Sequence, residues 1–424
     1  MSLNALFGGI GRALSHPAYR TYWAGQGVNS IGRWMYRTAI GWLTWQLTES
    51  TTWLGIIAFA DAIPLVFFTL IAGALTDQFG YFRIMRIVSF CATVLAAVFS
   101  ALILFGHINV YWVLALTLLL GSCEAITYPA RVSAVNALVP REDLAPAIAL
   151  GSTTFNGARI IGPGIAGALI LALGVGPVIG ISASTYLIFS ITLLMVKPNE
   201  LPRPNKRLDV VRDLIDGFKY VRSEPGVAFL LVLVGALGLF VRPYIDQLPG
   251  YAAQVFHRGP EGLAILLSAI GVGAMCAGFW VAQRGRVAGL TALVTFSTMA
   301  MGATVVLFCV FDNVWVAALC LALSGFFMLC SNVCSQTLIQ HAIDPRMRGR
   351  VIGLFIVISW GLPALGSITM GWLASIVGLK PAIAGGGALA VLLWVWSRRV
   401  GPKVAARLEG GDEDRTIAIK RAAE

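Results

Sequence analysis

Apolar residues in this chain come in long runs, separated by short polar stretches. Twelve such runs can be marked, at approximately 20–48, 52–76, 84–106, 111–131, 146–172, 177–196, 226–247, 261–282, 288–311, 313–338, 350–376 and 380–398. About 20 apolar residues in helical form cross a hydrocarbon core roughly 30 Å thick. Each run therefore predicts a transmembrane helix. Gly162-Pro163, Pro243 and Pro363 fall inside runs, which membrane helices tolerate. The longest polar stretch, Lys197 to Gly226, divides the runs into two sets of six. It opens with Pro198, Pro202 and Pro204, and then Val210, Val211, Leu214, Phe218 and Val221 recur at three- and four-residue steps among charges. That spacing predicts a short amphipathic helix along the membrane surface. The organisation expected is a bundle over 1–196, a cytoplasmic linker over 197–225, a second bundle over 226–400 and a mobile cytoplasmic tail over 401–424.

Composition agrees with the pattern. The chain has 424 residues, of which 58% are hydrophobic and 12% charged. Soluble domains carry about 25% charged residues, so a large soluble enzyme is excluded. Most of the 31 Lys and Arg fall in alternate loops and the two ends. The positive-inside rule then places both termini in the cytoplasm of a multi-pass protein of the cell inner membrane. The net charge of +11 belongs to this topology and to anionic lipid, not to nucleic acid. Residues 1–19 are not expected to be a cleaved signal peptide. The seven Cys all lie in predicted helices and the four His are scattered. Neither set suggests a metal site, and no cofactor is expected.

The two halves echo each other. Gly73-Ala-Leu-Thr-Asp77-Gln-Phe-Gly80-Tyr-Phe-Arg83 follows the second run, and Gly278-Phe-Trp-Val-Ala-Gln283-Arg-Gly285-Arg286 follows the eighth. Gly73 and Gly278, Gln78 and Gln283, and Gly80 and Gly285 each stand 205 residues apart. Pro140-Arg141 has the same relation to Pro345-Arg346, while Leu150, Gly162 and Gly167 match Leu354, Gly366 and Gly371 at 204. An all-α membrane protein of twelve transmembrane helices in two pseudo-symmetric six-helix bundles is predicted. Parallel repeats of this kind place substrate between the halves.

Away from the uncertain ends of most runs, the charged residues expected inside spans are Arg33, Arg37, Asp61, Glu124, Arg159, Arg242 and Asp246. Each costs at least roughly 2.5–3.5 kcal/mol at a helix centre, so such groups face a bundle interior and usually pair. Arg33 and Arg37 share a helix face, and Arg37 lies at a depth where Asp61 can reach it. Glu124 and Asp61 are candidate proton carriers. A carboxylate that titrates near neutral pH needs desolvation, and the flanks of Glu124 suit that better than those of Asp61. Permanent structural salt bridges are the alternative. Arg33, Trp34, Arg37, Tyr128 and Arg159 are candidate cavity residues, although membrane Trp and Tyr also serve in girdles and packing. Asn332 and Gln336, in a polar patch of the tenth run with Ser331 and Ser335, either line the cavity or bond between helices.

From about residue 15 to 400 the chain resembles the major facilitator superfamily. Gly73-x-x-x-Asp77-x-x-Gly80-x-x-Arg83 resembles the family's loop motif, which implies a conformational latch. Here Gly80 permits a tight turn, and Asp77 is placed to pair with Arg83 or to cap a helix. The bland reading is a turn that only sets topology. The second copy has Ala282 where Asp77 stands, so the first latch should dominate. Gly157-Ala-Arg159-Ile-Ile-Gly162-Pro163-Gly164-Ile-Ala-Gly167 is similar to the fifth-helix motif of antiporters and exporters. Gly162, Pro163 and Gly167 are expected to form a close-packed kink. Tyr128-Pro-Ala-Arg131, Leu138-Val-Pro-Arg-Glu-Asp143 and Gly162-Pro163 together resemble the enterobactin-exporter-like branch, which holds siderophore exporters and multidrug efflux pumps. One departure is Thr117, which stands four residues before Gly121 where many drug/proton antiporters carry Arg. The expected function is secondary active transport by alternating access: proton-coupled export of a small amphipathic molecule such as a drug or siderophore. The expected partners are that small-molecule substrate, protons and the lipid bilayer, with the chain as a monomer. The alternatives are a facilitator or lysophospholipid-type translocator of the same fold, and a non-transporting sensor. No enzymatic activity is expected.

Overall fold

The computed structural model describes residues 3–196, 210–344 and 346–410, with side chains from residue 9 onward except those of 69–77 and 210–214. Every regular element among the described residues is helical. The helices are α1 (Leu3–Ser15), α2 (Pro17–Thr48), α3 (Thr51–Phe79), α4 (Tyr81–Leu104), α5 (Val110–Ala134), α6 (Leu144–Leu173), α7 (Val175–Met195) and α8 (Val210–Ser223). They continue with α9 (Pro225–Ala236), α10 (Leu248–Gln254), α11 (Pro260–Arg284), α12 (Leu290–Val310), α13 (Val314–Ala342), α14 (Arg348–Val377) and α15 (Leu379–Glu409).

Among the described residues, eleven stretches are helical, long and apolar enough to cross a bilayer. The difference from twelve lies in α2. Its 32 residues are long enough, but Arg20, Gln26, Asn29, Arg33 and Arg37 make it too polar to count by composition alone. The spans expose large apolar side chains outward, among them Phe67, Leu104, Leu194, Val310 and Leu392. In water such a surface would be untenable, and in lipid it is required.

The seventh run is expected to be one helix over 226–247, and the chain instead changes its winding three times there. It passes from α9 through a π turn at Leu237–Val241 and a 3-10 segment at Arg242–Gln247 into α10. Pro243 explains the break. It has no N–H to offer the carbonyl of Leu239, four residues earlier. That carbonyl lies against Gly366 of α14 instead, where a side chain would collide with it.

Two compact units separate: Met1–Arg207 with Ala252–Ser268, and Leu208–Tyr251 with Ala269–Glu424. In the first, α3 packs on α5, α4 on α7, and α2 on both α6 and α7. Tyr19, Tyr22, Met85, Ala130, Phe189 and Leu193 form a buried core at one end of this unit. α1 is tied on by Arg12 and His16, whose side chains meet Asp143 at 3.1 and 2.9 Å. In the second unit, α12 packs on α13 and α15, and α14 on α8 and the π turn. Leu230, Leu233, Val294, Leu338, Phe355 and Leu408 are buried together there.

The repeat is visible in local detail within each unit. Asn109 caps α5 by accepting from the N–H groups of Tyr111 and Trp112, and Asn313 caps α13 by accepting from those of Trp315 and Val316. Gly174 joins α6 to α7 at φ +83°, and Gly378 joins α14 to α15 at φ +92°. Each pair is 204 residues apart, as are the starts of α6 at Leu144 and α14 at Arg348.

Candidate functional site

The first unit encloses a polar network on α2, α3 and α5. On α2, Asn29, Arg33 and Arg37 succeed one another every four residues and so project from one face. On α5, Glu124 and Arg131 are seven residues apart, about two turns along one face. Gly121, one turn before Glu124, lets α5 approach α3 at the level of Asp61: a Cβ there would lie 2.7 Å from the Asp61 carbonyl oxygen. These placements bring five charges together. Arg37 Nη2 lies 3.0 Å from Asp61 Oδ2. Glu124 Oε1 is held by both Arg33 and Arg131. All five line one open cavity, together with Asn29, Tyr36, Leu120, Tyr186 and Phe189.

Both proton-carrier candidates and two of the cavity candidates, Arg33 and Arg37, thus share a wall. Trp34 and Arg159 stand beside it. The guanidinium carbons of Arg37 and Arg159 lie 5.6 and 5.8 Å from the Trp34 ring centroid, within cation–π range. Phe155 meets the same indole edge-on at 5.9 Å. Tyr128 is not among the residues lining the cavity. Two sequence inferences change. Glu124 is expected to be the less Arg-flanked carboxylate, yet it contacts two guanidiniums where Asp61 contacts one. Arg131, the last residue of the fourth run, is not among the intramembrane charges expected from the sequence, yet it lies within α5 and belongs to the network. Its seven-residue spacing from Glu124 is the signal that would have placed it.

The second unit has its own open polar pocket, lined by Arg242, Ser331, Asn332, Ser359, Met301 and Met328 among others. Arg242 Nη1 donates to the Ser359 carbonyl at 2.9 Å and its guanidinium carbon lies 5.3 Å from the Trp360 ring centroid. Ser367 Oγ donates to Asp246 Oδ2 at 2.6 Å. Arg242 and Asp246 therefore tether the 3-10 segment to α14. Asn332 lines this pocket and Gln336 does not.

Of the latch residues, Gly80 turns between α3 and α4 at φ +86°, a conformation that favours glycine. Arg83 is exposed on the first turn of α4. Gly73 and Asp77 fall on α3 where side chains lie outside the described residues. On α6, Gly162 and Gly167 are close-approach positions. A Cβ at Gly162 would lie 2.5 Å from that of Trp34, and one at Gly167 would lie 2.5 Å from that of Ala264. Pro163 is buried between them, and Ser268 Oγ donates to the nearby Ile160 carbonyl at 2.9 Å.

Residues 12–408 match the family described as transmembrane secretion effector, within the major facilitator superfamily. The Staphyloferrin A transporter of Staphylococcus aureus is 24% identical over 82% of this chain and 87% of its own length. The multidrug efflux pump Tap of Mycolicibacterium fortuitum is 25% identical over 84% and 87%. The enterobactin exporter EntS of Shigella flexneri is 23% identical over 86% of each chain. Among solved structures, a mutant of the nucleoside transporter NupG aligns with a TM-score of 0.72 at 12% identity, covering 90% of this chain and 99% of its own. The D-xylose-proton symporter aligns with a TM-score of 0.69 at 14% identity, covering 90% and 97%. Identities this low establish the fold alone. The match along nearly the whole chain establishes that the protein belongs to the transmembrane secretion effector family of the major facilitator superfamily, as a multi-pass membrane transporter and not an enzyme.

Proposed function

We propose that the protein is a proton-coupled exporter of a small amphipathic molecule, acting in the cell inner membrane by alternating access between two six-helix bundles. The observation that carries this reading is the Arg33–Glu124–Arg131 and Arg37–Asp61 network on a cavity wall. Ionisable groups are costly within a membrane, and in transporters they mark substrate and proton paths. α2 is the twelfth span in this reading. Its charged face meets the network, so its polarity faces the bundle interior rather than lipid.

The network supplies a coupling chemistry. Ionised Glu124 clamps α2 to α5 through Arg33 and Arg131. A proton on Glu124 cancels the charge that both guanidiniums hold and releases them toward a solute. Loss of that proton re-forms the clamp. Asp61 acts in the same sense between α3 and α2 through Arg37. The hairpin Gly73, Asp77, Gly80 and Arg83 is assigned as the cytoplasmic latch, and Gly162, Pro163 and Gly167 as the packing kink. Similarity to a staphyloferrin A transporter, a multidrug pump and an enterobactin exporter supports efflux of an organic solute.

The test is counterflow in proteoliposomes, using the best hit of a thermal-shift substrate screen, with and without an imposed proton gradient. Flux should rise with the gradient. Glu124→Gln and Asp61→Asn should keep binding while losing that response. Gradient-driven flux surviving both substitutions would end the coupling assignment. One observation favours a facilitator as the second reading: each cavity carboxylate already has a guanidinium partner, as permanent structural bridges would. Wild-type flux indifferent to the gradient selects it.

A further inference from the structure

The charges on the first unit's cavity wall do not balance. Three guanidiniums, those of Arg33, Arg37 and Arg131, face two carboxylates, those of Asp61 and Glu124. Both carboxylates are already engaged, Asp61 by Arg37 and Glu124 by Arg33 and Arg131. One positive charge is therefore in excess among the described residues of the wall. Arg159 adds another guanidinium next to it, over the Trp34 ring. A charge in excess of its partners is costly within a membrane span, even beside an open cavity. A chain that keeps such an excess holds it for a counter-charge that comes and goes.

Two further features describe that visitor. Asn29 lines the same cavity at 3% exposure, and its amide oxygen has no hydrogen-bond partner. A buried amide oxygen without a partner is costly, and a ligand that brings a hydrogen-bond donor to it removes the cost. The remaining wall is apolar and aromatic, with Tyr36, Leu120, Tyr186 and Phe189. Guanidinium forks match carboxylate geometry in a way a point cation does not.

We infer that the solute is an amphipathic organic acid, whose carboxylate or equally acidic oxygen group docks among Arg33, Arg37 and Arg131 while its apolar body lies against the aromatic wall. The inference rests on the transporter reading above and narrows its substrate to anions. It excludes the lipophilic cations that a carboxylate-rich cavity would select.

The test uses the purified full-length protein in phosphatidylcholine nanodiscs, with empty discs as the baseline. Three probes share one fluorophore: dansylglycine as the anion, dansylglycinamide as the neutral form and dansylcadaverine as the cation. The anion should bind about tenfold or more tightly than the amide, the worth of one charged hydrogen bond. The cation should bind weakest. Arg33→Gln and Arg131→Gln each remove the excess charge, and whichever folds should narrow the gap between anion and amide. Equal binding of anion and amide, or a preference for the cation, overturns the inference. Displacement of dansylglycine by inorganic phosphate as readily as by unlabelled organic acid also overturns it, because the wall would then be a simple ion site. Flux assays separate this result from the transport reading. Anion-selective binding without any flux would remove the transport assignment and leave the charge preference standing, whereas flux of the cation alone would do the reverse.

Discussion

Arg37 and Asp61 show what an intramembrane pair does at the scale of single residues. Their 3.0 Å contact joins α2 to α3. Removing one member leaves the other charge without its partner, and removing both leaves neither. Arg37→Gln and Asp61→Asn alone should each lower stability by about 1.5–3 kcal/mol, while the double variant should recover much of that loss. Apparent Tm in detergent, taken as a double-mutant cycle, reads the coupling; additive losses would show that the pair contributes nothing. Arg33 and Arg37 were legible from the chain as one charged face. The sharing of Glu124 between Arg33 and Arg131 was not, because those two arginines sit on different helices and nothing in linear spacing joins them.

Among the elements, α6 separates two kinds of glycine. Gly162 abuts Trp34, whereas Gly157, little more than one turn earlier, has nothing within 4 Å of the position a Cβ would take. Gly162→Ala should cost about 1–3 kcal/mol through overpacking. Gly157→Ala should be neutral or stabilise by about 0.5–1 kcal/mol through helix propensity. Opposite shifts in apparent Tm test the distinction, and equal shifts would mean that α6 does not depend on close approach at Gly162. The interrupted winding between α9 and α10 belongs to this scale too. Pro243 was visible in the sequence as a tolerated proline, but the π and 3-10 turns were not. They bring the Leu239 carbonyl against Gly366, where α14 carries no side chain.

For the whole molecule the duplication is local in its precision and unequal in its chemistry. Helix caps and connecting glycines recur at 204 residues, as with Asn109 and Asn313 or Gly174 and Gly378. The polar linings do not recur. The first unit's cavity has three guanidiniums and two carboxylates, while the second unit's pocket is lined by one guanidinium with serines, an asparagine and methionines. Coupling should therefore reside in the first unit. Arg242→Gln should leave the response of flux to a proton gradient intact, whereas Glu124→Gln should abolish it. Side-by-side counterflow measurements check this, and loss of the gradient response in Arg242→Gln would place coupling in both units.

Membrane class, spans and internal repeat were written in the chain, because hydrophobic length, loop charge and turn residues act locally and need no knowledge of neighbours. α2 is the instructive exception. Its arginines make it polar as a segment, and only its place beside Asp61 and Glu124 accounts for them. Tertiary structure alone decided which charges meet, since the rotation of α2, α3 and α5 about their axes is set by close contacts such as Gly121 against the Asp61 backbone. It also decided the excess positive charge, because Arg131, at the end of the fourth apolar run, enters the count only when α5 turns it toward Glu124.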